Sequence, residues 1–259
     1  MSRMISRSKT IRAKNDGLIE RGIPRAEDEN PAYGSFEHIL RVLDGLDSVY
    51  GNESAAPDSY ATGEPLDGLI LTLLSQNTND KNRDAAYGSL RSIFPKWGDV
   101  ARARTSEIAR AIKSAGLGDI KAGRMKAILE KIAFDFKDYT LAAMKGWEAE
   151  KVREYLSSLH GIGPKTVACV MVFDLGLPAF PVDTHVARLS RRLGWADKKT
   201  PPEKIQDFLE SIVPPERCGG GHLNMIEHGR AVCHARGGEC GACAVNGICR
   251  RNIEKEPAE

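Results

Sequence analysis

Leu159-His160-Gly161-Ile162-Gly163-Pro164-Lys165-Thr166 joins two segments of helical periodicity, 148–158 before it and 164–175 after it. Pro164 suits the first position of the second helix, where a missing N–H costs nothing. The segment is not a Walker loop, because Gly163 is followed by Pro164 and not by the Lys of G-K-[ST]. It is not a dinucleotide fingerprint either: no strand precedes it, and Thr166 stands where a third Gly belongs. A helix–Gly-x-Gly–helix turn has another use. The glycines let the backbone approach a phosphate closely, and the amide groups at the second helix's start point outward. No base edge is read by such a hairpin, so it would hold DNA without sequence preference. Alone, G-x-G between helices is often only a turn.

Outward from this hairpin, helical spacing continues in both directions. Phe36, Ile39, Leu40, Leu43 and Leu46 follow the i, i+3, i+4, i+7 pattern behind Ser35, a plausible cap. Residues 51–65, rich in Pro, Gly, Ser and Asp, read as a linker. Leu66, Leu69, Ile70, Leu73 and Leu74 open a mostly buried helix. Further helices are predicted near 79–94, 105–115, 120–136, 203–212 and 222–232, and one after Asp183 with Val186, Leu189 and Leu193 on one face. No alternating strand stands out. The fold class is all-α, and the helices are too many for one four-helix bundle, so two helical domains are expected.

The 259 residues fit one to two domains of about 150 residues each. Lys+Arg number 37 and Asp+Glu 35, a net charge of +2, which excludes a bulk polycation. The balance hides an asymmetry. Residues 35–70 carry seven acidic and one basic side chains, whereas 101–200 carry 18 basic and 11 acidic. That basic middle is either a set of solvated helix faces or the footprint of a phosphate backbone. Residues 1–34 lack periodicity and read as a basic, loose extension; Asp16 and Glu20 count against a transit peptide. No apolar run approaches the ~18 residues of a membrane span. No secretory leader is apparent, so the expected setting is a reducing compartment: the bacterial cytoplasm, or a eukaryotic organelle or nucleus.

In that setting six cysteines point to metal or core before disulfides. Cys233, Cys240, Cys243 and Cys249 make C-x6-C-x2-C-x5-C within 17 residues. Four such thiols fit a zinc ion or an iron–sulfur cluster. Zinc modules usually pair two short knuckles, and here there is one, so a cubane cluster fits better. Cys169 reads as core. Cys218, before Gly219-Gly220-Gly221, reads as loop.

Lys165 lies in the first turn of its helix, the unfavourable end of the dipole for a cation. It is either a phosphate-contacting lysine or an amine nucleophile able to attack a sugar C1′ and form a Schiff base. Eighteen residues later, Pro181-Val182-Asp183-Thr184-His185 opens the next helix. Asp183 reads as an N-cap. The helix from Gly163 to about Leu175 spans roughly 18 Å, and a return through 176–181 would bring Asp183 beside Lys165, where a carboxylate could stabilise developing oxocarbenium charge.

The Leu159–Lys165 hairpin, Val182-Asp183-Thr184-His185 and the four-cysteine loop, in this order, resemble the endonuclease III family of helix-hairpin-helix DNA glycosylases, from about Phe36 to Arg250. The resemblance implies a helical barrel domain at 57–177 and a discontinuous iron–sulfur domain from 35–56 and 178–259, with DNA between them. It makes Lys165 the Schiff-base lysine and Asp183 the catalytic aspartate. The four cysteines become ligands of a [4Fe-4S] cluster, with His228-Gly229-Arg230 leading into it. Gln76, in Leu74-Ser75-Gln76-Asn77-Thr78, matches the residue that fills the gap left by a flipped nucleotide, and Leu117 a second wedge. On their own these two read as a helix-end amide and a core leucine. Gly161, Gly163 and Thr166 would contact DNA, and Asn79 and Asp80 would lie near the lesion pocket. The sequence departs from the common pattern at His160, Pro164, Asn79 and Gly118, and the last two bear on lesion preference.

The activity so implied is a monomeric, bifunctional glycosylase and abasic-site lyase acting on oxidised pyrimidines in duplex DNA. Alkylpurine or mismatched thymine specificity, a non-catalytic DNA-binding protein with a structural cluster, and an electron-transfer module are the alternatives. Adenine-mismatch activity fits poorly, since that class usually lacks the lysine and carries a further domain.

Overall fold

The computed structural model describes residues 31–51 and 63–250. Among them every regular element is helical, and no helix is long and apolar enough to cross a membrane. In chain order the elements are α1 (Phe36–Tyr50), α2 (Pro65–Ser75), α3 (Asp80–Ile93), α4 (Trp97–Arg102), α5 (Thr105–Ala111), α6 (Gly118–Phe136), α7 (Ala149–Ser157), α8 (Pro164–Cys169), α9 (Thr184–Leu193), α10 (Pro202–Ile212) and α11 (Pro215–Ala231). The described residues form two compact units. One comprises the part before Ala56 together with the part from Val182 onward; the other runs to Pro181.

The continuous unit is built around α2. Glu64 caps its start, accepting from Leu66 N at 3.3 Å, and the same carboxylate takes Leu141 N at 2.8 Å. Leu66, Leu69, Ile70, Leu73 and Leu74 are all inaccessible to solvent. A helix apolar on every side belongs in the middle of its domain, and α3 and α8 pack against it. Asn79 caps α3, accepting from Asn82 N at 2.9 Å. The short α4 is absent from the sequence reading, because six residues are too few to display a period. The helix predicted over 105–115 breaks at Ala111 and continues as a 3-10 turn, Lys113–Ala115. The run from Pro164 also changes character, passing into a π turn over Val170–Asp174. Cys169 is buried, as expected of a core residue.

The discontinuous unit packs α1 and α9 on α11. Ser35 caps α1 through His38 N at 3.2 Å. Its buried face is His38, Ile39, Val42, Leu43 and Leu46. Phe36, predicted on that face, is 53% exposed, and Leu40 is only half-buried. Buried His38 takes Phe36's place in the stripe. The indole Nε1–H of Trp195 donates to its Nδ1 at 3.0 Å, and its Nε2 lies 2.7 Å from Ile248 O. An indole only donates, so His38 carries its proton on Nε2.

Helix α11 corrects a second expectation. Cys218-Gly219-Gly220-Gly221, read as loop, lies inside the helix and is buried throughout. Glycine disfavours helix by about 1 kcal/mol per residue, but tertiary burial overrides that preference here. The predicted extension 1–34 and linker 51–65 lie largely outside the described residues. Within the described part of the first, Gly34 N donates to His38 Nδ1 at 3.3 Å.

Candidate active site and metal centre

The hairpin follows α7. Gly161 adopts φ +79°, and a Cβ there would stand 2.5 Å from Arg124 Cδ. Both facts demand glycine. Gly163 differs. Its φ is −99°, open to any residue, and a Cβ would meet nothing within 4 Å. The protein's own packing does not need a glycine at that position. It leaves the backbone bare on an exposed surface, as close approach by an external backbone requires. Pro164 and Lys165 are the first two residues of α8; Pro164 is exposed and Lys165 half-buried. Thr166 is only 4% exposed, so its side chain is withdrawn from that surface.

Gln76 is the C-cap of α2. Its Nε2 reaches Gly161 O at 3.5 Å, and Arg124 Nη1 donates to its Oε1 at 3.1 Å. Asn77 follows in the left-handed region (φ +54°), and Leu117 shares that conformation (φ +51°). Left-handed non-glycine residues are uncommon and cluster at functional sites. Leu117 is 50% exposed and Ile120, one turn on, 54%. The core reading of Leu117 is therefore wrong: it projects outward from the start of α6.

Two side chains that the sequence reading missed organise this region. Lys121 is 1% exposed and donates to Leu74 O and Ala115 O, both at 2.8 Å. Burial pushes its pKa down. Those carbonyls lie two residues before Gln76 and two before Leu117. Arg124, one turn further, grips Gln76. The sequence held a signal for the first: Lys121 is in register with Met125, Ile128 and Ile132 on the buried face of α6, where a lysine needs a reason. Nothing local marked Arg124. Of the two pocket candidates, Asn79 is occupied as a cap and Asp80 pairs with Arg83 at 3.0 Å.

In the discontinuous unit, Asp183 caps α9, its Oδ1 accepting from Val186 N at 2.8 Å. It is half-buried. Arg188, on the same helix, donates to Gly229 O at 2.9 Å and Cys233 O at 2.8 Å. Gly229 is packed against His185, where a Cβ would stand 2.6 Å from Nδ1. The helix that carries Asp183 is thereby fixed to the lead-in of the cysteine loop.

Cys233, Cys240, Cys243 and Cys249 line one apolar cavity with Leu46, Leu189, Leu193, Val232 and Val245. Among the described residues no three His, Cys, Asp or Glu side chains converge as a single ion requires. The sulfurs instead surround a shared space. Arg192, 2% exposed, donates to Cys233 Sγ at 3.3 Å and to His234 O at 2.6 Å. His228 Nε2 lies 3.4 Å from Cys243 Sγ, and its Nδ1 3.0 Å from Tyr50 Oη. Burial lowers the His228 pKa to about 4 and raises the Cys243 thiol to about 12. A metal bound at the Cys243 sulfur would offset that desolvation and favour the thiolate. Four sulfurs, an apolar wall, a buried guanidinium and an imidazole beside a second sulfur suit a polynuclear cluster better than a lone ion.

Comparison with known proteins bears on this arrangement. The pattern of the HhH-GPD superfamily base excision DNA repair protein matches residues 70–215. Endonuclease III of Thermotoga maritima is 31% identical over 193 residues, 74% of this chain and 86% of its own length. An Arabidopsis thaliana protein whose name marks it as a candidate DNA glycosylase is 36% identical over 194 residues, 75% of this chain. This chain spans 61% of that plant protein's length. A trapped endonuclease III–DNA covalent intermediate has the same fold, with a TM-score of 0.73 at 25% identity, covering 85% of this chain and 98% of that one. With every regular element among the described residues helical, a Gly-x-Gly hairpin bearing Lys165 and a matched segment that spans more than half of the chain, including most of the continuous unit, the chain belongs to the HhH-GPD superfamily of base excision DNA repair proteins, in its endonuclease III-like branch.

Proposed function

We propose that this protein is a DNA glycosylase with abasic-site lyase activity, acting on damaged pyrimidines in duplex DNA. The observation that carries the proposal is Lys165. It is a half-buried amine in the first turn of α8, next to the bare backbone of Gly163. The family membership and the covalent DNA complex of the structural relative support it.

In the reaction, the Lys165 amine attacks C1′ of an extruded deoxyribose. The base leaves with the bond's electron pair and takes up a proton. Ring opening gives a protonated Schiff base between Nζ and C1′. Loss of a C2′ proton then expels the 3′ phosphate by β-elimination and nicks the strand. Asp183 supplies the carboxylate that stabilises positive charge at C1′ and accepts a proton from the attacking amine. The hairpin holds phosphate, and Gln76 and Leu117 enter the space vacated by the flipped nucleotide, offsetting part of the few kcal/mol that extrusion costs. Cys233, Cys240, Cys243 and Cys249 would hold a [4Fe-4S] cluster, which when bound would give the discontinuous unit a rigid centre.

Borohydride trapping on a duplex with one abasic site tests this directly. The wild-type protein should form a covalent adduct, and Lys165→Gln should form none while binding the duplex within a few-fold of wild type. An adduct of undiminished yield with Lys165→Gln would remove the lysine from its role.

A further inference from the structure

We infer that Arg124 is a positioning residue for base extrusion, setting the Gln76 side chain before DNA arrives. The inference rests on the glycosylase reading above and on Gln76 as the residue that fills the gap.

Three contacts carry it. The Arg124 guanidinium donates to Gln76 Oε1 at 3.1 Å. The amide nitrogen of the same Gln76 points to Gly161 O at 3.5 Å. The Arg124 side chain lies against Gly161 so closely that a Cβ there would stand 2.5 Å from Arg124 Cδ and displace it. One arginine thus joins the Gln76 wedge to the phosphate-facing hairpin. The amide is held at both ends, oxygen on the cation and nitrogen on the hairpin carbonyl. A glutamine free in solution samples many rotamers, and ordering it at the moment of insertion has an entropic cost. Arg124 meets that cost in advance.

The support beneath Arg124 is stiff. One turn earlier on α6, buried Lys121 ties the Leu74 and Ala115 carbonyls together. The backbones leading to Gln76 and Leu117 are therefore fixed relative to α6. What remains for Gln76 to choose is its side-chain direction, and the guanidinium sets that. A neutral residue of the same length would fill the space under Gly161 without aiming the amide.

Arg124→Met keeps the stem and removes the donor. The readout is 2-aminopurine fluorescence from a base beside the lesion in a duplex, followed in stopped flow under single-turnover conditions. The signal rises as stacking is lost on extrusion. Arg124→Met should slow that rise about tenfold, the expected effect of losing one hydrogen bond from a charged donor. Its melting temperature should stay at the wild-type value, and so should its borohydride trapping on a single-stranded abasic oligonucleotide, where nothing has to be extruded. Arg124→Lys, which retains the stem and a cation, should recover part of the rate, and it serves as the test if the methionine variant melts early. In a Gln76→Ala background, Arg124→Met should change the rise less than twofold, because its target is gone.

A wild-type rise with Arg124→Met overturns the inference. So does a tenfold loss that persists undiminished in the Gln76→Ala background, which would make Arg124 a phosphate contact independent of Gln76. A wild-type rise with Gln76→Ala alone removes the wedge and this inference together, and leaves the Lys165 chemistry to its own trapping experiment.

Discussion

The cap made by Asp183 and the chemistry proposed for it are separable by one substitution. One carboxylate oxygen caps α9 through Val186 N, and the proposed chemistry would use the other. Asparagine caps a helix about as well as aspartate, whereas alanine costs roughly 1 kcal/mol. Asp183→Asn should therefore leave the urea midpoint unchanged and cut single-turnover base release by about 100-fold or more, the usual scale for a missing acid–base group. Asp183→Ala should lose both. Base release at the wild-type rate with asparagine would reduce this residue to its cap. Lys165, Asp183 and the cysteines stand out in the sequence as candidates because each lies in a short, ordered pattern. Arg124 does not, since Gln76 lies 48 residues away in sequence; Lys121 leaves only the trace of a lysine on a buried helix face, with its Leu74 partner 47 residues away. Leu117 is singled out only through the resemblance: by itself a leucine near a helix start reads as core, whereas here it is 50% exposed on a left-handed backbone.

At the scale of the element, the hairpin's two glycines have different reasons to exist. Gly161 is required by its own backbone and by Arg124. Gly163 is not required by anything in the protein. Gly161→Ala should destabilise by about 1–3 kcal/mol, the cost of a strained φ. Gly163→Ala should melt like wild type yet bind duplex DNA more weakly. Thermal melts paired with a fluorescence-anisotropy titration check both, and equal melting of the two variants would contradict the distinction. Most helices were legible from spacing and caps, since Ser35, Asn79 and Asp183 each cap a helix through a side-chain oxygen. The failures share a cause. The glycine run in α11 and the π turn after α8 are decided by packing partners distant in sequence, which local preference cannot register.

For the molecule as a whole, the all-helical class was legible, because helical spacing recurs along most of the chain. Each unit has its own core, and only one contains the cysteine cavity. Leu46 of α1, Leu189 and Leu193 of α9 and Val232 beyond α11 all line it. A cluster bound there, as proposed, would contribute to the folding energy of that unit. Removing iron with a chelator, or substituting Cys243→Ser, should lower amide-exchange protection in α1, α9 and α11 while α2 keeps its own. Uniform loss across α2 as well would deny the units their independence. The packing of α1 on α11 also dictates an order of events during translation. Helix α1 leaves the ribosome with its apolar stripe bare, and its partner begins only at Pro215. At about 5–20 residues per second, that wait lasts roughly ten to thirty seconds. The segment carrying the hairpin and Lys165 is synthesised in the interval and can collapse first. Until the residues from Pro215 onward emerge, α1 is a natural client for a chaperone.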